Sequence, residues 1–522
     1  MAKVGMRLLK KGQKGIIRAV FSRIGLMTVM LLLHFALFFA AFFWLGEQYL
    51  PHFYGLEVLI SLGSILYLIN CSAIDPSAKI TWLIVLMLMP VFGGLLLIYS
   101  RSDLGHRALK KRIQTLVDET EFKIPQNGNT LEKLRNENPG SAALAQYLRS
   151  KGGFPVYDGC DVTYFPSGEA KFEALLSELE TAREFIFLEY FIVDEGEMWG
   201  RILEILAQKA SEGVDVRLIY DGTCEFTTLS HDYPKRLAKL GIQCRVFSPV
   251  TPFMSTHYNY RDHRKILVID GKTAFTGGIN LADEYINAVE KHGHWKDTAV
   301  MIRGAAVKSF TLLFLQMWCI QDRNPDFSQY LESQTDAYDV PGYVIPYADC
   351  PLDEDKVGER VYMDLLNRAQ KFVHVMTPYL ILDGELETAL KFAAERGVEV
   401  ALILPGIPDK KTPYALAKTH YPSLLASGVK IYEYTPGFVH AKVFSCDGRE
   451  AVVGTINLDY RSLYHHFECA AYLCGTGCIA EIEADFADTL EKCREVTADS
   501  LKKGNPGTWL RGIFMKAAAP LL

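Results

Sequence analysis

The 522-residue chain has no excess of positive charge: 55 lysines and arginines face 61 aspartates and glutamates, a net charge of −6. Without a basic tail or stripe it lacks the electrostatic footprint of a nucleic-acid binder. It also lacks the cysteine spacings that build zinc or disulfide frameworks. Its eleven cysteines include no C-x-x-C pair, and Cys474 and Cys478, the closest two, have no matching His or Cys cluster beside them. Reduced, mostly buried thiols follow, which fits the cytoplasmic side of a membrane. At 49% hydrophobic the chain is too apolar to be disordered. Its length implies two or three packed units.

Apolar residues concentrate in the first hundred positions. Gly25 to Leu45, about Tyr54 to Ala73, and Ile80 to Tyr99 are each long enough to cross a hydrocarbon core of about 30 Å. The first stretch exceeds the ~7–15 apolar residues of a signal peptide and follows a long basic segment, so an anchor is expected there. Lys3, Arg7, Lys10, Lys11, Lys14, Arg18 and Arg23 precede the first segment, and Arg101, Arg107, Lys110, Lys111 and Arg112 follow the last. Positive charge on both flanks places both in the cytoplasm and requires an even number of crossings. One segment is then re-entrant or interfacial: the middle one, with Glu57, or the third, with Pro90, Gly93 and Gly94.

Residues 1–102 therefore read as a helical membrane anchor and 103–150 as a linker containing one short amphipathic helix. Two similar halves follow, 151–330 and 331–522. FEALLSELETAREFIFLEYFIVDEGEMWGRILEILAQKASEGVDVRLIYDG, from Phe172, is mirrored by MDLLNRAQKFVHVMTPYLILDGELETALKFAAERGVEVALILPG, from Met363. Each reads helix, strand, helix, strand, the pattern of an α/β fold with a mixed sheet flanked by helices. The interface of two such halves is the natural place for a shared cleft.

Each half ends its pattern with one reactive triplet. His263, Lys265 and Asp270 stand in HRKILVID, and 177 positions later His440, Lys442 and Asp447 stand in HAKVFSCD with the same H-x-K-x4-D spacing. In a strand, residues two apart share a face, so each imidazole is presented with an ammonium. That combination suits a phosphodiester. One neutral histidine attacks phosphorus, a second protonates the leaving oxygen, and the lysines stabilise the equatorial oxygens. No cofactor or metal is required, and a lysine two positions from a histidine would repel a cation.

Asp270 and Asp447 each precede a glycine, so they either help to hold the site or shape a hairpin turn. Asn280 and Asn457, ten residues later in GGIN and GTIN, could donate amide hydrogens to phosphate or cap the following helix. Asp297 in HWKD and Glu468 in HHFE are candidates for orienting the imidazoles, 34 residues after His263 and 28 after His440, with surface ion pairs as the alternative. The C-terminal GTWLRGIFMKAAAPLL sets Trp509, Leu510, Ile513 and Phe514 beside Lys502, Lys503, Arg511 and Lys516. This mixture could lie on an anionic leaflet or pack on the domain.

With both triplets, the GGIN and GTIN sequels and the duplicated halves, the chain resembles the phospholipase D superfamily from about Phe172 onward. SAKITWLIVLMLMPVFGGLLLIY, GFVHAKVFSCDG and GTINLDYRSLYHHFE are similar to bacterial cardiolipin synthases. The resemblance implies two phospholipase D-like halves and an enzyme of the cell membrane with its catalytic halves on the cytoplasmic side. It also implies transfer of a phosphatidyl group between two phosphatidylglycerol molecules through a phosphohistidine, with cardiolipin and glycerol as products. The catalytic set it implies is His263, Lys265, Asp270, His440, Lys442 and Asp447. Asn280 and Asn457 would join the lysines on phosphate, while Asp297 and Glu468 would orient the imidazoles. Either histidine can attack, the first motif being preferred. A phospholipase D-type hydrolase or another phosphatidyltransferase, such as a phosphatidylserine synthase, uses the same chemistry with a different acceptor. Two departures stand out: an apolar segment beyond the usual two-span anchor, and His465 and His466 where similar sequences carry other polar residues.

Overall fold

A computed structural model describes residues 49–522 except 73, 102–106, 122, 249–259, 323–324, 333–334, 354, 503–505 and 519–522, together with 32, 35, 39 and 43. The described residues up to Arg101 belong to one compact unit and the described residues from Arg107 onward to a second. In the first, α1 (Leu50–Asn70), α2 (Pro76–Leu88) and α3 (Pro90–Arg101) pack around Leu68, Trp82, Leu86 and Leu97. Asp75 caps α2 by accepting the amide hydrogens of Ser77 and Ala78. The apolar segment Gly25–Leu45, its preceding basic residues and Lys503 lie outside the described residues, apart from the four isolated positions above. No described helix is long and apolar enough to cross a membrane. The expected span from Ile80 to Tyr99 is divided at Met89, because Pro90 has no amide hydrogen to continue the ladder. Val58, Leu59, Leu66, Ile69, Met87 and Leu88 nonetheless point outward from this unit.

The stretch read as a linker is folded. Helices α4 (Arg107–Thr120), α5 (Gly128–Glu137) and α6 (Pro139–Gly152) bury Leu116, Leu134, Leu144 and Leu148 in the main body. Asn127 and Asn138 cap α5 and α6, so the loop signals NGN and NPG mark helix starts.

The first repeat builds β1 (Asp161–Phe165), α7 (Gly168–Thr181), β2 (Phe185–Tyr190), α8 (Glu197–Ser211), β3 (Asp215–Asp221), β4 (Gln243–Phe247), β5 (Arg261–Asp262), β6 (Lys265–Ile269), β7 (Thr273–Gly277), β8 (His294–Lys296), β9 (Ala299–Arg303) and α9 (Val307–Trp318). The second builds β10 (Tyr343–Asp349), α10 (Val357–Arg368), β11 (Phe372–Met376), α11 (Gly384–Glu395), β12 (Glu399–Pro405), α12 (Lys411–Ala417), β13 (Lys430–Tyr434), β14 (Gly437–Val439), β15 (Val443–Cys446), β16 (Glu450–Gly454), α13 (Tyr460–Tyr464), β17 (His466–Cys474) and β18 (Cys493–Glu495). Helix α14 (Pro506–Ala518) follows. The first sheet runs β1-β9-β7-β6-β2-β3-β4 and the second β10-β17-β16-β15-β11-β12-β13-β18, so the repeats share one mixed topology. Within each, the helix–strand–helix–strand unit supplies the parallel part, β2 beside β3 and β11 beside β12.

Alternation along the strands fills two kinds of core. Phe185 and Phe187 of β2 enter a core that also holds Val443, Val453 and Ala471 of the other sheet, while Ile186, Leu188 and Tyr190 pack under α7 and α8. Two short parallel pairings join the halves. β5 pairs with β17 and β8 with β14.

The two Asp-Gly turns close β6 on β7 and β15 on β16. Asp270 and Asp447 take φ of 51° and 53°, a region that asparagine and aspartate tolerate better than other side-chain-bearing residues. The Asp270 carboxylate accepts the amide hydrogens of Arg183, Glu184 and Phe185, each at 2.8 Å, and Asp447 accepts those of Gln370, Lys371 and Phe372. Each aspartate therefore ties its hairpin to the start of the neighbouring central strand. With Asp270 buried, its replacement by alanine should destabilise the fold by about 3 kcal/mol, the cost of leaving amides unpaired around a lost carboxylate. A lowered denaturation midpoint measures this, and an unchanged midpoint would exclude the tie.

Candidate active site

Each histidine of the paired triplets stands where the chain changes partners. His263 lies between β5, which pairs with the second half, and β6, which belongs to the first sheet; His440 lies between β14 and β15 in the same way. The H-x-K run is therefore a joint rather than a strand interior. Its ladder breaks because the two ends bond to different halves. The His263 amide donates to the Phe467 carbonyl at 2.9 Å, and the His440 amide to that of Lys296 at 2.7 Å.

This crossing decides which carboxylate meets which imidazole. Phe467 precedes Glu468, and His263 Nδ1 lies 2.9 Å from both oxygens of that carboxylate. Lys296 precedes Asp297, and His440 Nδ1 lies 2.6 Å from Asp297 Oδ2. The two carboxylates do meet the imidazoles, but each reaches the histidine of the opposite half, so separations counted within a half carried no information. An imidazole giving its Nδ1 hydrogen to a carboxylate carries its lone pair on Nε2.

The lysines complete each side. Lys265 Nζ donates to the His263 carbonyl at 2.6 Å, and Lys442 Nζ lies 2.9 Å from Nδ1 and 3.1 Å from Nε2 of His440. All four groups are buried. Burial pushes His263 well below its ordinary value against the pull of Glu468. Burial and the neighbouring Lys442 lower His440 to about 4 in spite of Asp297. Burial also lowers Lys265 to about 8 and Lys442 to about 7, and the charge of Lys265 adds to the depression of Lys442 and His440. Glu468, though buried, is held well below the usual carboxylate range by His263 and His466. The substrate-free site is a neutral imidazole pair beside weakened ammonium groups, an environment that an arriving anion would recharge.

Asp270 and Asp447 are not part of this cluster, which corrects their place in the catalytic set. Seven residues of mostly extended chain, on the order of 20 Å, separate each from its histidine. Asn280 is buried, accepts the Ile192 amide at 3.0 Å and donates to the Tyr285 hydroxyl at 2.7 Å, so part of its donor capacity is spent inside the protein. Asn457 keeps a buried side-chain oxygen without a hydrogen-bond partner, and its backbone N–H donates to Ser462 Oγ at 2.8 Å.

Several participants carried no sequence signal. Lys171 in α7 is fully buried, 3.3 Å from the Ile279 carbonyl and 3.4 Å from the Tyr190 hydroxyl, and burial lowers it to about 7. Phe191 meets the His263 ring edge-on at 5.0 Å, while Tyr285 and Trp295 each lie 5.4 Å from His440. The GTIN threonine, Thr455, and Ser462 of α13 both donate to Glu468. In GGIN the matching residue is Gly278, where a Cβ would sit 2.0 Å from an Asp297 oxygen. Thr455 and Gly278 thus complement a longer and a shorter route to their carboxylates.

Beside His440, Phe438 at 5.8 Å lines a pocket together with Pro378, Tyr379, Leu404 and Tyr414. On the other side, His466 lies 5.3 Å from the His263 ring, and His263, His466 and Glu468 each offer a ligand atom within 4.8 Å of the others. That set could hold a metal ion, in competition with the His263–Glu468 hydrogen bonds.

The chain matches the family described as "Cardiolipin synthase, PLD-like domain" over residues 175–318 and 362–490. An uncharacterised protein of Streptococcus mutans is 57% identical over 88% of this chain and all of its own. A cardiolipin synthase of a Geobacillus species is 34% identical over 90% of this chain and 94% of its own, and cardiolipin synthase 2 of Bacillus cereus is 34% identical over 85% and 86%. Among solved structures, a phosphatidylserine synthase of Haemophilus influenzae shares the fold with a TM-score of 0.55 at 14% identity, over 73% of this chain and 98% of that one. The fold of two exchanged halves, the duplicated joints and these relatives agree: the chain belongs to the cardiolipin synthase family of the phospholipase D superfamily.

Proposed function

We propose that the protein transfers a phosphatidyl group from one phosphatidylglycerol to the hydroxyl of another, forming cardiolipin and releasing glycerol. The observation that carries this reading is the pair of buried imidazoles, each held by a carboxylate of the opposite half and each with its own lysine, with the charge of Lys265 also acting on His440 and Lys442. Nε2 of one histidine attacks phosphorus as the bond to the glycerol oxygen breaks, and the other histidine, which has taken up a proton on Nε2 as the phosphodiester anion binds, gives that oxygen the proton. The result is a phosphohistidine and free glycerol. In the second step the deprotonated histidine takes the hydroxyl proton of the incoming phosphatidylglycerol. Its oxygen attacks phosphorus and the first imidazole leaves. Lys265 and Lys442 balance charge on the phosphoryl oxygens, and Asp297 and Glu468 fix the imidazole tautomers.

A lipid substrate agrees with an N-terminal unit that exposes Val58, Leu59, Leu66 and Met87 and continues an apolar N-terminal sequence. We read residues 1–102 as the anchor to the bacterial cell membrane, with basic flanks on the cytoplasmic side.

Full-length protein incubated with phosphatidylglycerol in mixed micelles should yield cardiolipin and glycerol in equal amounts. Phosphatidic acid as the main product would instead make it a hydrolase, and no product would refute the reading. His263→Ala and His440→Ala should each remove nearly all turnover, since groups that act as a unit are strongly non-additive. Substantial activity left in either variant would break the shared site.

Asp297→Asn and Glu468→Gln should each lower kcat by about 10³-fold or more by disturbing the tautomer of the opposite half's histidine. Steady-state kinetics on folded variants reads this, and a loss of only a few fold would reduce the carboxylates to structural partners. In the substrate-free protein Lys442 titrates at about 7 and Lys265 at about 8, and each binds phosphate only while protonated. Hence kcat/KM should fall as pH rises from 7 to 9. A profile flat across that range would remove the lysines from phosphate binding.

A further inference from the structure

Helix α14 (Pro506–Ala518) faces the wrong way for a helix of a water-soluble surface. Trp509, Leu510, Ile513 and Phe514 are 58, 52, 41 and 70% exposed, whereas Gly512 between them is buried. The helix is not loose. A Cβ at Gly512 would sit 2.4 Å from the Ala415 carbonyl of α12, and Met515 packs against the small cluster of Leu416 and Tyr460. Docking through the small face leaves two i, i+4 pairs, Trp509 with Ile513 and Leu510 with Phe514, as one outward apolar stripe.

At about 100° per residue, Arg511 and Lys516 fall on opposite flanks of that stripe, between it and the docked face. Both are exposed, and the helix contains no acidic residue. In a chain of net charge −6, this outward apolar helix thus carries only basic charges of its own. An apolar stripe with aromatic residues and flanking cations matches a bilayer interface, where the rings enter the acyl boundary and the cations meet anionic headgroups.

We infer that α14 is a docking surface that seats the catalytic body on an anionic lipid leaflet. Helix α12 links this surface to the site. Its outer side holds Gly512 and Met515, and Tyr414 of the same helix lines the pocket that reaches Phe438 beside His440. The surface at α14 therefore continues through α12 to Phe438, the ring neighbour of His440. The docking itself follows from the helix alone; only its kinetic consequence rests on the phosphatidyltransferase reading.

Two measurements on the full-length protein test it. With Phe514→p-benzoylphenylalanine, reconstituted in vesicles of equal parts phosphatidylglycerol and phosphatidylcholine, irradiation should crosslink position 514 to lipid, with less crosslinking in phosphatidylcholine alone. Crosslinks to a second copy of the chain, or none to lipid, would overturn the inference, and neither result depends on turnover. The double variant Trp509→Ser, Phe514→Ser should raise the KM for vesicle phosphatidylglycerol about tenfold, in line with two large side chains no longer inserting, at unchanged kcat. Its kcat/KM on monomeric short-chain phosphatidylglycerol should stay as in the parent. Equal losses on both substrates would mark a folding defect, and unchanged KM on vesicles would exclude a docking role.

Discussion

The exchange of two short parallel strands between the halves is the constraint on which the site depends. β5 of the first repeat joins β17 of the second, and β14 of the second joins β8 of the first. These pairings cover only two and three residues, yet each ends beside a histidine and begins the approach to a carboxylate. Without the exchange, His263 and His440 would lie at the margins of separate sheets, each lacking its Nδ1 partner. The bonds from His263 to the Phe467 carbonyl and from His440 to the Lys296 carbonyl set the backbone, and the side-chain pairs follow from the next residue along. The mutual register of the halves and the catalytic geometry are therefore one quantity.

Such a site is costly to bury. Two lysines, two imidazoles and two carboxylates are removed from water, and each isolated charge would cost several kcal/mol after relaxation. The protein limits this by keeping the imidazoles neutral and by weakening the lysines, while Thr455 and Ser462 satisfy Glu468 with hydroxyl donors. A bound phosphodiester would favour the protonated form of both lysines, taking the place of the water that burial removed from them. Binding energy is then realised where charge is stabilised during transfer, in surroundings from which water is largely excluded.

The repeat, its helix–strand–helix–strand order and the hairpins after each triplet were legible because they rest on local rules: strand composition, helix spacing and Asp-Gly turn chemistry. The histidines and lysines were legible because two equal spacings in one chain are hard to explain otherwise. What escaped depends on contacts between distant segments. No count along the chain assigns Glu468 to His263 or Asp297 to His440, since the exchange is a property of the paired halves. Asp270 and Asp447 share the triplet spacing, but spacing does not reveal that their carboxylates turn toward the starts of β2 and β11. Lys171 looked like any lysine of an amphipathic helix until α7 placed it against the Ile279 carbonyl. Residues 103–150 were read as a linker because their loop signals NGN and NPG are also helix caps.

The exchange makes the two imidazoles alike in geometry and leaves them unlike in surroundings. His440 is walled by Trp295, Tyr285 and Phe438, rings with no charge to offer, and its carboxylate is the shorter Asp297 accommodated by Gly278. His263 faces Phe191 and a second imidazole, His466, over the longer Glu468, which two hydroxyls hold in place. Trp295 and His466 occupy matching places, each two residues before its carboxylate, so the difference is built into the repeat itself. A displacement through a covalent intermediate gives its two bases different tasks, one bonding to phosphorus and one moving a proton twice. A pseudo-symmetric scaffold with unequal walls lets one duplicated motif perform both.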